Sequence, residues 1–228
     1  MTAYSLGRRV LAEFLGTLFL LSAIIGSGIM AERLAGGNGA IALLCNTLAT
    51  GAMLIVLIQL FGPISGAHFN PAVTLMFAAR GEARRGEIIA YIPAQIAGAA
   101  LGAWLAHLMF AMPLFEVSAK MRDGLGQYVS EFVATFGLVA TILGVGRFRV
   151  DTVPVAVGLY ITAAYWFTAS TSFANPAVTL ARSLTNSFSG IAPSSVPGFV
   201  IAQALGAIVA TLLFGWLLEP VRVSPDKF

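Results

Sequence analysis

The chain has 228 residues, 58% of them hydrophobic and only 10% charged, against about 25% charged in a typical soluble domain. A surface this poor in charge has lipid as its natural solvent, which argues against a water-soluble enzyme or binding module. The formal net charge of +3 does not point to nucleic acid, because the Lys and Arg residues stand beside apolar runs and form no patch.

Six segments are long and apolar enough to cross a bilayer, each near the ~20 residues required. The first covers 8–31 and opens on Arg8-Arg9. It imitates an export signal, but its apolar run is too long and its sequence recurs later, so it reads as a retained helix. The second, 40–62, holds Cys45, the single cysteine, which can form no internal disulfide. An irregular stretch, Gly62 to Phe69, leads to Asn70, where a half-length apolar segment runs to about Arg80. The third span covers 86–110, a polar linker 111–126, the fourth span 127–147 and the fifth 152–171. Thr171 to Ala174 is again irregular, a second half-length segment runs from Asn175 to about Asn186, and the sixth span covers 196–219. All spans are expected to be helices, since an isolated strand cannot satisfy its backbone in lipid.

Of 13 basic residues, Arg8, Arg9, Arg80, Arg84, Arg85, Arg147, Arg149, Arg222 and Lys227 fall on one side of such a topology. Arg33, Lys120, Arg122 and Arg182 fall on the other. The excess predicts both termini in the cytoplasm of a cell whose inner (plasma) membrane holds the chain.

The sequence repeats itself. Ala12-Glu-Phe-Leu-Gly-Thr17 resembles Ser130-Glu-Phe-Val-Ala-Thr135, and Asn70-Pro-Ala-Val-Thr-Leu75 is identical to Asn175-Pro-Ala-Val-Thr-Leu180. Gln95-Ile-Ala-Gly-Ala-Ala-Leu-Gly102 echoes Gln203-Ala-Leu-Gly206. One channel domain, 1–228, is therefore read as two halves, 8–110 and 127–219, joined by 111–126. Each half has three full spans, so the second must enter the membrane from the opposite face. The fold class is an all-α membrane protein of six transmembrane helices and two re-entrant half-helices in an inverted repeat. Such repeats place their shared site near the bilayer midplane.

Asn is a strong helix N-cap and Pro fits the first helical position, where its missing N–H costs nothing. Asn70 and Asn175 thus start two short helices deep in the membrane. Irregular backbone before them is tolerated only if buried or lining a wet cavity. Two helix N-termini, each carrying roughly half a positive charge, would oppose cations at the centre. The free side-chain amides of Asn70 and Asn175 would donate to a neutral solute.

From about residue 8 to 219 the chain resembles the aquaporin and aquaglyceroporin (major intrinsic protein) family. The two Asn-Pro-Ala motifs, the first-helix Ala-Glu-Phe-Leu-Gly-Thr and Ser65-Gly-Ala-His68 carry the likeness. The resemblance implies a homotetramer with one pore per subunit, passing water and small neutral solutes, and it implies hydrogen-bond roles for Asn70 and Asn175. It also implies a filter of Thr50, Tyr165, Ser172 and Val178. Most members carry arginine where this chain has Val178, and Arg182 stands one helical turn further along. An uncharged filter predicts an opening wider and less polar than that of a strict water channel. Glycerol-like polyols, undissociated arsenous acid and methylated arsenicals are then candidate solutes, the arsenicals by resemblance to bacterial relatives with this altered motif.

Glu13 and Glu131 are placed near the inner ends of spans one and four. The family implies that they accept hydrogen bonds from the re-entrant backbone. His68, Phe69, Phe173 and Arg182 are expected to line or brace the pore, and His107 to sit at the interface. Gly98 and Gly102 read as a helix-packing pair. Tyr91, Trp104, Tyr128, Trp166 and Trp216 read as core or interface anchors. With two distant His, one Cys and no catalytic motif, neither an enzyme, a cofactor nor a metal site is expected. The competing readings are a water-selective pore and an inverted-repeat secondary transporter, which would need a coupling-ion carboxylate at the midplane.

Overall fold

The computed structural model describes residues 4–220; Arg222 and Lys227, two of the expected orientation anchors, lie outside them. The described residues form eight α-helices in chain order: α1 Leu6–Leu34, α2 Gly39–Ser65, α3 Pro71–Ala79, α4 Arg85–Met109, α5 Leu125–Phe148, α6 Val153–Phe167, α7 Pro176–Arg182 and α8 Val196–Leu217. Short 3₁₀ turns, Val150–Thr152 and Pro193–Ser195, lead into α6 and α8. Among the described residues there is no strand. Helices α1, α2, α4 and α5, and α6 and α8 taken with the 3₁₀ turns that lead into them, have the length and hydropathy to cross a membrane. Six crossings return the chain to the face where it begins, called here the terminal face; the other is the distal face.

The bundle is built of two matched halves, α1, α2 and α4 in one and α5, α6 and α8 in the other, with α2 against α6 between them. Small residues set the closest crossings. A side chain at Gly98 or Gly102 of α4 would meet the carbonyl of Phe14 or Leu18 on α1, and one at Gly206 of α8 would meet the carbonyl of Phe132 on α5. Such crossings let helix backbones touch where lipid offers no hydrophobic drive to associate. Large apolar side chains such as Leu60, Leu108, Ile201, Leu212 and Trp216 point outward.

Three boundaries differ from those expected. The second span runs through Pro63 to Ser65, so only Gly66 to Phe69 is irregular. Pro63 lacks the N–H that its turn of helix needs, but together with Gln59 and Gly62 it borders a wide cavity where water can reach the freed carbonyl. Gly66 then stops the helix in the left-handed conformation, φ 92. The fifth span ends at Phe167 and not at 171, because 168–174 must already turn back toward the centre. The second half-helix ends at Arg182, and the residues after it fold over the distal mouth.

Candidate functional site: a central cavity between two half-helices

Helices α3 and α7 enter from opposite faces and meet N-terminus to N-terminus. Asn70 Oδ1 accepts from Ala72 N at 2.9 Å, and Asn175 Oδ1 from Ala177 N at 2.9 Å. The amide nitrogens cross between the halves: Asn70 Nδ2 donates to Ala174 O, and Asn175 Nδ2 to Phe69 O, both at 2.8 Å. The amides are therefore not wholly free, in contrast to the expectation from sequence. Each has two N–H groups, of which one is committed and one remains for another partner.

Each re-entrant loop is held by one buried carboxylate. Glu13 Oε1 accepts from His68 N at 2.9 Å and Oε2 from Phe69 N at 2.7 Å. Glu131 accepts from Phe173 N and Ala174 N, both at 2.9 Å. Gln95 Nε2 bridges Glu13 and Thr74 at 2.8 and 2.9 Å; Gln203 Nε2 bridges Glu131 and Thr179 at 2.6 and 2.8 Å. In the sequence the two glutamines stand out only as echoes of the repeat. Glu131 does not share an end with Glu13: it lies on the first turns of α5, toward the distal face. Inversion of the second half requires this, because each carboxylate must reach the loop of its own half.

The anchored loops hold strained backbone. Ala67 and Phe69 have φ of 50 and 48, and Thr171, Ser172 and Ala174 have 61, 50 and 48. Left-handed φ is costly for a β-branched residue such as Thr171, and it persists only where surrounding bonds over-determine it. Phe69 is seated against Gly16, where any side chain would overlap its ring.

A cavity of about 130 Å³ runs past these elements. Its wall includes Asn70, Asn175, His68, Phe69 and Phe173, and all four residues counted as the filter, Thr50, Tyr165, Ser172 and Val178. It adjoins a vestibule of about 1030 Å³ on the terminal face through shared wall residues Ile58, Phe77, Ile142 and Val153. His68 stacks on Phe77 with centroids 4.7 Å apart, and its Nδ1 lies 3.1 Å from Thr74 Oγ1. Tyr165 Oη donates to Thr50 Oγ1 at a long 3.5 Å.

Val178 is buried on the cavity wall and so is Arg182, one turn beyond it. The Arg182 guanidinium sits 3.5 Å from the Phe173 ring centroid, and its Nε donates to Ser189 O. A second arginine, Arg122 of the 110–124 loop, lies 5.2 Å from the same ring. It donates to Gly190 O at 2.8 Å and Ser170 O at 3.3 Å. Burial pushes its pKa below the ordinary arginine value. Arg122 has no site role legible in the sequence, since a linker residue carries no mark of where its loop folds. His107 is not interfacial; it is buried, bonding Pro113 O at 2.6 Å and Thr185 Oγ1 at 2.7 Å beneath the distal loops.

A cavity threaded between two opposed half-helices, inside six membrane-crossing helices, defines a membrane channel. The chain belongs to the major intrinsic protein family, whose model matches residues 1–149 and 145–226. Members of this family are channels, not enzymes. The chain is 59% identical over 222 residues to aquaglyceroporin AqpS of Rhizobium meliloti, covering 97% of this chain and 95% of that protein. It is 30% identical over 236 residues to a glycerol uptake facilitator protein of Streptococcus pneumoniae, covering 89% and 96%. The fold matches the crystal structure of the aquaglyceroporin from Plasmodium falciparum with a TM-score of 0.75 at 23% identity, over 95% of this chain and 98% of that one.

Proposed function

We propose that this channel passively conducts glycerol-like polyols together with water, and that undissociated arsenous acid and methylated arsenicals share the path. The observation that carries this reading is Val178 on the cavity wall, where most of the family places an arginine. Val offers no donor and little bulk, so a trihydroxy solute meets no fixed charge at that level. Asn70 and Asn175 each keep one N–H for such a solute at the centre. Thr50, Tyr165 and Ser172 complete the filter, and His68, Phe69, Phe173, Glu13 and Glu131 line or hold the path. The opposed half-helix N-termini disfavour cations.

In this reading 8–110 and 127–219 work as the two inverted halves of one channel domain, with 111–126 between them. The relatives named as an aquaglyceroporin and a glycerol uptake facilitator support the polyol assignment. The unit is a homotetramer in the plasma membrane with both termini in the cytoplasm, the side on which Arg80, Arg84, Arg85, Arg147 and Arg149 gather. Light scattering by proteoliposomes exposed to water, glycerol and arsenous acid gradients tests it. All three should pass faster than through empty vesicles; passage of water alone would restore the water-selective reading.

A further inference from the structure

Among the described residues, two buried polar atoms on the cavity wall have no hydrogen-bond partner: Ser172 Oγ and Arg182 Nη1. An unsatisfied buried polar group costs about 1–3 kcal/mol, more when charged. Arg182 is 2% exposed, and no carboxylate pairs with it among the described residues. Yet it is firmly held. Its Nε is tied to Ser189 O and its guanidinium lies on Phe173. Phe173 in turn is fixed by Glu131 through its N–H and by the edge of Phe199, centroids 5.1 Å apart. An arginine whose plane and Nε are fixed, with Nη1 left without a partner at a cavity wall, is arranged to donate to something that passes.

Its position is equally specific. Residues four apart share a helix face, so Val178 and Arg182 present successive turns of α7 to the same cavity. Because α7 runs from the centre toward the distal face, Arg182 is the outer of the two. Ser172 directly precedes Phe173, so its hydroxyl belongs to the same mouth.

We propose that Arg182 and Ser172 form this channel's selective constriction, with the filter guanidinium moved one helical turn outward from the level of Val178. Nη1 donates to an oxygen of a small neutral polyol or undissociated hydroxo acid, while Ser172 Oγ exchanges a hydrogen bond with a hydroxyl of the same molecule. Val178, Leu20 and Ile24 then offer an apolar wall to the carbon side. The fixed charge repels cations before they reach the Asn pair. This assignment rests on the channel reading above.

The test uses purified full-length Arg182→Ala, Arg182→Lys and Ser172→Ala in proteoliposomes, with Val178→Arg combined with Arg182→Val as a fourth variant. Water and glycerol permeability and proton leak, read by an entrapped pH dye, are measured beside melting temperature. Arg182→Ala should raise the glycerol-to-water ratio roughly threefold or more and admit a proton leak. Arg182→Lys should keep the leak low while changing the ratio, because it retains charge but loses the fork. Ser172→Ala should lower the ratio without a leak. The combined variant should lower the ratio, since it returns the guanidinium to the Val178 level. Should Arg182→Ala not fold, Arg182→Lys and Ser172→Ala decide. Folded variants with unchanged ratio and leak, or with both fluxes reduced in equal proportion, would leave Arg182 as a loop brace and overturn the assignment. A native channel that carries neither water nor glycerol overturns the channel reading itself, an outcome separable because it appears before any substitution.

Discussion

Asn175 donates through Nδ2 to the carbonyl of Phe69 at 2.8 Å, so the cap of one half-helix is bonded to the re-entrant loop of the other half. Asn70 repeats the bond in the opposite sense to Ala174. The centre is thus a closed pair of cross-bonds between the halves, and neither loop can shift without breaking the bond it accepts from the other half's capping asparagine.

Replacing Asn175 with Asp sets a carboxylate oxygen against the Phe69 carbonyl and removes a donor from the path. Loss of one hydrogen bond, about 1 kcal/mol, corresponds to a fall in glycerol flux of about fivefold. The added negative charge should admit cations that the native protein excludes. Proteoliposome swelling together with a potassium-diffusion assay checks both effects. Unchanged flux without leak would remove Asn175 from the path.

Glu13→Gln and Glu131→Gln should destabilise rather than alter selectivity. Each carboxylate accepts two backbone N–H bonds and one from glutamine, and Glu13 accepts a fourth from Ser65 Oγ. A glutamine brings an NH₂ group that can accept none of them, leaving at least one buried donor orphaned at a cost of about 1–3 kcal/mol. Thermal unfolding in detergent should show a lowered melting temperature for both variants. A strict dependence of solute flux on a proton gradient in the native protein, lost in either variant, would instead mark the carboxylate as a coupling site.

Gly98→Val and Gly206→Val should prevent assembly of the bundle. Their side chains would strike the carbonyls of Phe14 and Phe132, backbone atoms of the facing helix that cannot move aside. Monodisperse protein after size-exclusion chromatography should be nearly absent for both. Gly7→Val, where an added Cβ meets nothing within 4 Å, should purify as the native chain does.

Val178→Arg should reduce glycerol and arsenous acid flux roughly tenfold while reducing water flux far less, since bulk and charge return at the Val178 level. The two guanidiniums then stand one turn apart on α7, and their repulsion adds to the barrier. Equal flux of all three solutes before and after substitution would mean that the wall at Val178 does not set selectivity.

Sequence reached the centre of this protein more readily than its mouth. Asn70 and Asn175 were legible because capping chemistry and repetition agree: the same N-cap and Pro begin two segments too short to span. The carboxylates were legible as residues but not as positions. Glu131 was set beside Glu13, although inversion of the halves carries it to the other end. Gln95 and Gln203 stood in view as repeat echoes, and their bridging role shows only when Glu and Thr are brought within 3 Å of them. Arg122 was the least legible: its placement depends on how the 110–124 loop folds over Phe173, and no periodicity or motif encodes that. Helical spacing set Arg182 one turn beyond Val178, but its seat on Phe173 and its bond to Ser189 depend on how the 183–192 loop folds.

Passive conduction through the cavity between the half-helices requires glycerol to cross in the absence of any ion gradient. Purified protein in vesicles with identical salt and pH on both sides should equilibrate labelled glycerol at a rate proportional to its gradient. Ionophores that collapse proton and sodium gradients should not change that rate. Accumulation against a glycerol gradient, or flux that appears only when a proton or sodium gradient is imposed, would contradict the account.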